Sequence, residues 1–289
     1  MKLLVKNTFT VFKMKRFLLI NCLIVLAAIF TGAAFAQTTD QVTKTDLPPA
    51  EVDKIIKAFT EKEAVFRNAL VNYSFRRDAI VQTLGFGAGQ VTGEYHRTSV
   101  FTFDDNGRKY EKITFFPMPT LREISVTPED LEDLGGINPF ALEPQNISLY
   151  NLTLVGKQKI DELNLYVFDV TPKVIPDPKK SKQRVFSGRI WVDDRDLQIV
   201  KSKGKGLPES KDAKYPVVET WRENIGGKFW FPTYATSNDE LDFDGRPVRL
   251  RLRVRYTDYK EASATVRILD EEVEEPKPTP TPAPSPKKP

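Results

Sequence analysis

The chain carries one histidine, His96, and one cysteine, Cys22, so imidazole or thiol chemistry would rest on a single residue of each kind. A serine triad would depend on His96 alone, and no Gly-x-Ser-x-Gly elbow accompanies it. His96 sits in Gly93-Glu94-Tyr95-His96-Arg97, within an alternating stretch, and reads as a strand histidine; an acid–base role is the alternative. One cysteine excludes an intramolecular disulfide and a thiolate zinc cluster. Asp193, Asp194 and Asp196 form one acidic group, and Asp239, Glu240, Asp242 and Asp244 form another. Neither has the spacing of a loop that wraps calcium, and both flank turn signals, where Asp is favoured for backbone reasons. The run Gly85-Phe86-Gly87-Ala88-Gly89 lacks the Gly-Lys-Ser/Thr ending of a phosphate loop and reads as a strand connection. No catalytic residue, metal or cofactor is expected.

Two features could bind rather than react. Arg249, Arg251, Arg253 and Arg255 alternate with Val248, Leu250, Leu252, Val254 and Tyr256. A strand places these two sets on opposite faces. The arginines would meet lipid headgroups or a protein partner, or lie solvated beside cross-strand acids such as Glu240 and Asp242. Trp191, Trp221, Phe229, Trp230 and Phe231 read as sheet packing, with a carbohydrate platform as the other possibility.

Export positions all of this. Residues 1–36 hold five basic and no acidic side chains, then an apolar run from Phe17 to Phe30 broken only by Asn21, then Ala34-Phe35-Ala36. That is the order of a secretory signal peptide cleaved after Ala36, with better spacing from Met14 than from Met1. An uncleaved anchor is the alternative. Cys22 follows Asn21, where a lipidated cysteine would need a small residue. The formal charge of +4 belongs to this segment: without it, acidic residues outnumber basic ones by one, which removes the compositional case for nucleic acid.

Residues 37–47 read as a flexible lead-in and 271–289, with seven prolines, as a disordered tail. Between them, residues 48–270 read as one domain. Pro48-Pro49 open a helical pattern, with Val52, Ile55, Ile56, Phe59, Ala64, Val65 and Leu70 at three- and four-residue intervals. After Leu70 the period becomes two. Strands are expected from Asn72–Leu84 onward, including 122–126 and 264–269, joined by turns such as Asp105-Asn106-Gly107 and Gly226-Gly227. Short links mean antiparallel neighbours. Thr127-Pro128-Glu129-Asp130 starts a short helix whose Leu131, Leu134, Ile137 and Phe140 would cover the sheet. The fold class is α+β and mainly antiparallel: a curved open half-barrel of about eleven strands, with an N-terminal helix and a short helical lid over the concave face.

The stretches LTLVGKQKIDELNLYVFDVTPK, FSGRIWVDDRDLQIVKSKG and WRENIGGKFWFPTYATSN, within 152–238, resemble the outer-membrane lipoprotein-sorting superfamily of LolA, LolB and RseB-like proteins. The resemblance implies a non-enzymatic protein of the periplasm or cell envelope. It implies an apolar cavity for a lipid or lipoprotein acyl chain, lined by the lid residues and by Tyr166, Phe168, Phe186, Ile190, Val192, Val248, Leu250, Leu252, Val254 and Tyr256. An envelope protein partner is also implied, and contact with the membrane would be transient or through an uncleaved N-terminus. A filled interaction module and an envelope hydrolase are the other readings.

Overall fold

The computed structural model of the protein describes residues 41–87, 89–127, 130–132 and 142–262. Helix α1 (Pro49–Leu70) begins at a proline, where no intrahelical N–H bond is lost. Its buried stripe is Ile55, Phe59, Glu63, Phe66 and Leu70, the spacing of one helical face. Val65, expected on that stripe, is exposed, and Glu63 occupies the face instead.

Ten antiparallel strands follow among the described residues: β1 (Tyr73–Leu84), β2 (Val91–Phe103), β3 (Lys109–Phe115), β4 (Tyr150–Ile160), β5 (Leu163–Pro172), β6 (Val185–Asp193), β7 (Ile199–Leu207), β8 (Val218–Ile225), β9 (Phe229–Asp242) and β10 (Pro247–Glu261). They form one open sheet in the order β3-β2-β1-β10-β9-β8-β7-β6-β5-β4. Every link is a hairpin except the β3–β4 connection and the β1–β10 pairing, which joins the first strand to the last.

One expected strand is absent. Residues 122–126 carry the right alternation but form no ladder. Pro117 and Pro119 offer no N–H just upstream, and Thr120 N bonding Glu94 O at 2.9 Å prolongs the β2 contact only briefly. Ile124 and Val126 still pack against the core, so their periodicity is satisfied by burial without pairing. Thr127 caps a helical turn at 130–132: its Oγ1 accepts from Asp130 N at 3.1 Å, and the Asp130 carboxylate accepts from Thr127 N at 2.9 Å. The rest of the expected lid, with Leu134, Ile137 and Phe140, lies outside the described residues, as do the export segment, the strand expected at 264–269 and the tail.

Helix α1 lies on the inner face of the sheet. Its first half, through Ile55 and Phe59, packs on Phe168, Val170, Ile190 and Val192. Its second half, through Phe66 and Leu70, packs on Phe231, Val254 and Tyr256. The Phe59–Phe168 and Phe66–Phe231 ring centroids are each 5.7 Å apart, within the range of favourable aromatic pairs. A smaller cluster of Leu165, Val167, Trp191 and Val200 occupies the outer face, with Val42 packed against it. Beside it Thr43 and Lys157 exchange two backbone hydrogen bonds of 2.8 Å, which lays the lead-in along edge strand β4.

Candidate functional site

No residue of helix α1 lines the cleft at the far end of the inner face. This cleft, of about 610 Å³, is floored by Val248, Leu250 and Leu252 of β10, with Val81 of β1 and Leu241 of β9. One wall is the 122–126 segment with Asp130, and the other is Lys211–Pro216 from the β7–β8 connection. Strand alternation explains the floor, because every second β10 residue turns inward. Ile124, Val126, Tyr215, Pro216 and Phe243 add apolar wall.

The rim is charged and mainly cationic, with Arg122, Arg184, Lys211, Lys214 and Arg246 against Glu123, Asp130 and Asp212. Arg184 lies 3.9 Å from Asp130 and its guanidinium stands 4.8 Å over the Tyr215 ring. Lys211 pairs with Asp244 at 2.9 Å. Arg122 and Lys214 have no ion pair among the described residues. An apolar floor below an incompletely neutralised cationic rim suits a molecule with a hydrocarbon body and an anionic end.

The residues singled out from the sequence fall into three places. Val248, Leu250 and Leu252 line the cleft. Phe168, Phe186, Ile190 and Val192 are core beneath the first half of α1, with Tyr166 partly buried beside them; Lys157 Nζ stands 4.4 Å over the Tyr166 ring. Val254, Tyr256 and Leu131 belong to the core under the second half, where burial pushes the Tyr256 phenol well above its ordinary pKa. The site is therefore one end of the inner face. Its basic rim escaped sequence reasoning, because Arg122, Arg184, Lys211, Lys214 and Arg246 come from separate segments with no shared spacing.

Arg249, Arg251, Arg253 and Arg255 lie on the opposite, outer face. Arg249 is 4.0 Å from Glu240, and the other three have no ion pair among the described residues. His96 is also on that face, its Nε2 2.8 Å from Asp78 Oδ1, which also accepts from Thr98 Oγ1 at 2.7 Å. Burial pushes the Asp78 carboxyl up, but the hydrogen bonds from Thr98 and His96 outweigh this and hold it below its ordinary range. The acidic groups serve their turns and tie strands together: Asp196 takes Gln198 N at 3.2 Å and Asp242 takes Gly245 N at 2.7 Å, while Asp194 takes Lys157 Nζ at 3.2 Å and Asp196 takes Trp230 Nε1 at 2.8 Å. Among the described residues no three His, Cys, Asp or Glu side chains are grouped to hold a metal ion.

No family model matches the sequence, and neither does any curated protein. Solved structures do match. A DUF1329 family protein from Desulfovibrio piger is 15% identical, with 72% of this chain and 94% of that one covered, at a TM-score of 0.37. A LolA superfamily protein from Nitrosomonas europaea is 17% identical, over 69% and 93%, at 0.29. The MucA/MucB complex of Pseudomonas aeruginosa is 10% identical, over 74% and 100%, at 0.22. Scores this low assign neither a ligand nor a role.

Proposed function

We propose that the protein is exported to the cell envelope and binds one acyl chain of a lipid or lipoprotein, for carriage or for sensing, without catalysis. The observation that carries this reading is the cleft, which lies over the inner sheet face at Val248, half-buried, and at the buried Leu250 and Leu252, and is rimmed by Arg122 and Lys214. Its volume of about 610 Å³ lies within the roughly 300–1,000 Å³ of small-molecule sites. Each acyl methylene taken from water contributes about 0.8 kcal/mol, so affinity grows with chain length until the floor is covered. The cationic rim meets the headgroup end. His96 stands on the other face of the sheet and takes no part.

The test is native mass spectrometry of the protein purified from its own envelope. A co-purifying lipid or acylated species, displaced by the substitution Val248→Trp, is the expected result. Protein without adducts that also fails to retain a fluorescent fatty acid would overturn the proposal.

A further inference from the structure

The outer face of β10 presents three guanidinium groups, on Arg251, Arg253 and Arg255, that form no ion pair among the described residues. Along a strand they recur about every 6.8 Å, within the Debye length of about 8 Å at physiological salt, so they repel one another. The flanking strands offer little relief. Opposite Arg251 are Gln82 and Asn238, and opposite Arg253 are Ile80 and Thr236. Opposite Arg255 are Tyr234 and Asp78, and Asp78 already accepts from His96 and Thr98. Glu240 stands by Arg249 alone.

The chain supplies a matching row of carboxylates. Beyond β10 the sequence runs through Asp270-Glu271-Glu272-Val273-Glu274-Glu275. In an extended chain Asp270, Glu272 and Glu274 recur at the same two-residue interval as Arg255, Arg253 and Arg251. The reach also fits. The described chain ends beside Asn72, whose carbonyl accepts from Ala262 N at 2.7 Å. From there Arg255 lies back along β10 by about 24 Å at ~3.4 Å per residue. The residues from Ala262 to Asp270 span up to about 26 Å at ~3.3 Å each, enough to reverse direction and arrive over Arg255.

We propose that the outer face of β10 is the docking surface for the chain's own acidic segment, residues 270–275, which runs back over Arg255, Arg253 and Arg251. Tethering makes the contact intramolecular, so weak exposed ion pairs suffice. The docked segment masks the arginine row from other anions.

The experiment uses full-length mature protein and a variant that removes the five charges without touching the fold (Asp270→Asn with Glu271→Gln, Glu272→Gln, Glu274→Gln and Glu275→Gln). A labelled peptide of residues 268–277 is titrated into each and followed by fluorescence anisotropy. The expected result is binding to the charge-removed variant at least tenfold tighter than to the native chain. That binding falls steeply with added salt and is lost when Arg251→Gln and Arg253→Gln are added. Absence of binding to the charge-removed variant overturns the proposal, as does equal binding to both chains. Vesicles of phosphatidylglycerol provide the second arm. Pelleting stronger for the charge-removed variant supports masking by the tail, whereas equal pelleting that depends on Arg251 and Arg253 makes an anionic membrane the occupant and overturns it.

Discussion

Arg222 of β8 grips Glu63 of α1 in a two-pronged ion pair, Nη1 to Oε1 at 2.6 Å and Nη2 to Oε2 at 3.0 Å. The two side chains are only 12% and 5% exposed. The guanidinium also stands 4.6 Å over the Phe66 ring, so a single arginine fixes the rotation of the helix on the sheet. Glu63 occupies the helix's apolar stripe because this partner waits there.

Breaking that pair from one side leaves a buried charge. Glu63→Gln or Arg222→Met is expected to cost about 3–5 kcal/mol, read as a lowered urea midpoint. The double variant Glu63→Leu with Arg222→Met should lose less than the two single losses summed, because neither charge is then stranded.

Gly188 and Gly204 face each other on β6 and β7, and the Phe186 ring crosses them. A Cβ at Gly204 would stand 2.4 Å from the Ser187 carbonyl and 2.5 Å from that ring. Gly204→Val is expected to cost about 1–3 kcal/mol through overpacking. Gly245→Asn, in a turn at φ 79° with open space around it, should change thermal stability little, since Asn tolerates that backbone.

Asp193 is 4% exposed, and burial followed by the nearby Asp196 pushes its carboxyl above the ordinary value. The sign follows: the folded state holds this proton more tightly than the unfolded state, so stability falls as pH rises through the folded pKa. Asp193→Asn should therefore be more stable than the native chain at neutral pH. The advantage should shrink as pH drops through the folded pKa, as measured by denaturant midpoints across a pH series.

In the cleft, Val248→Trp is expected to reduce retention of a fluorescent fatty acid by at least tenfold while leaving the melting temperature nearly unchanged. Arg122→Ser or Lys214→Ser should weaken an anionic amphiphile by up to about fivefold, the scale of one exposed ion pair, and leave an uncharged one of equal length unaffected.

How far the sequence reveals this molecule depends on whether the information is local. The alternation of Val248–Tyr256 with four arginines declares β10 and both its faces, and Pro49 with the Ile55–Phe59–Leu70 spacing declares α1. Period alone misleads at 122–126, where Ile124 and Val126 bury without pairing. The cleft is less legible. The residues of the inner face are correctly apolar, but periodicity carries no trace of where α1 stops. That boundary separates Phe168 and Ile190, packed beneath the helix, from Leu250 and Leu252, which floor a cleft. The cationic rim is assembled from distant segments and becomes visible only once they meet.

The pairing of β1 with β10 also bears on the order of events as the chain is made. Synthesis delivers α1 and β1–β3 first, yet the strand that completes β1 arrives last, after the β4–β9 meander. Until then β1 keeps an open ladder, and Phe75, Ala79 and Val81 have no Leu252 or Val254 to pack against. A nascent chain of this topology therefore passes through a long interval with an adhesive N-terminal third, when holding by a chaperone would matter most.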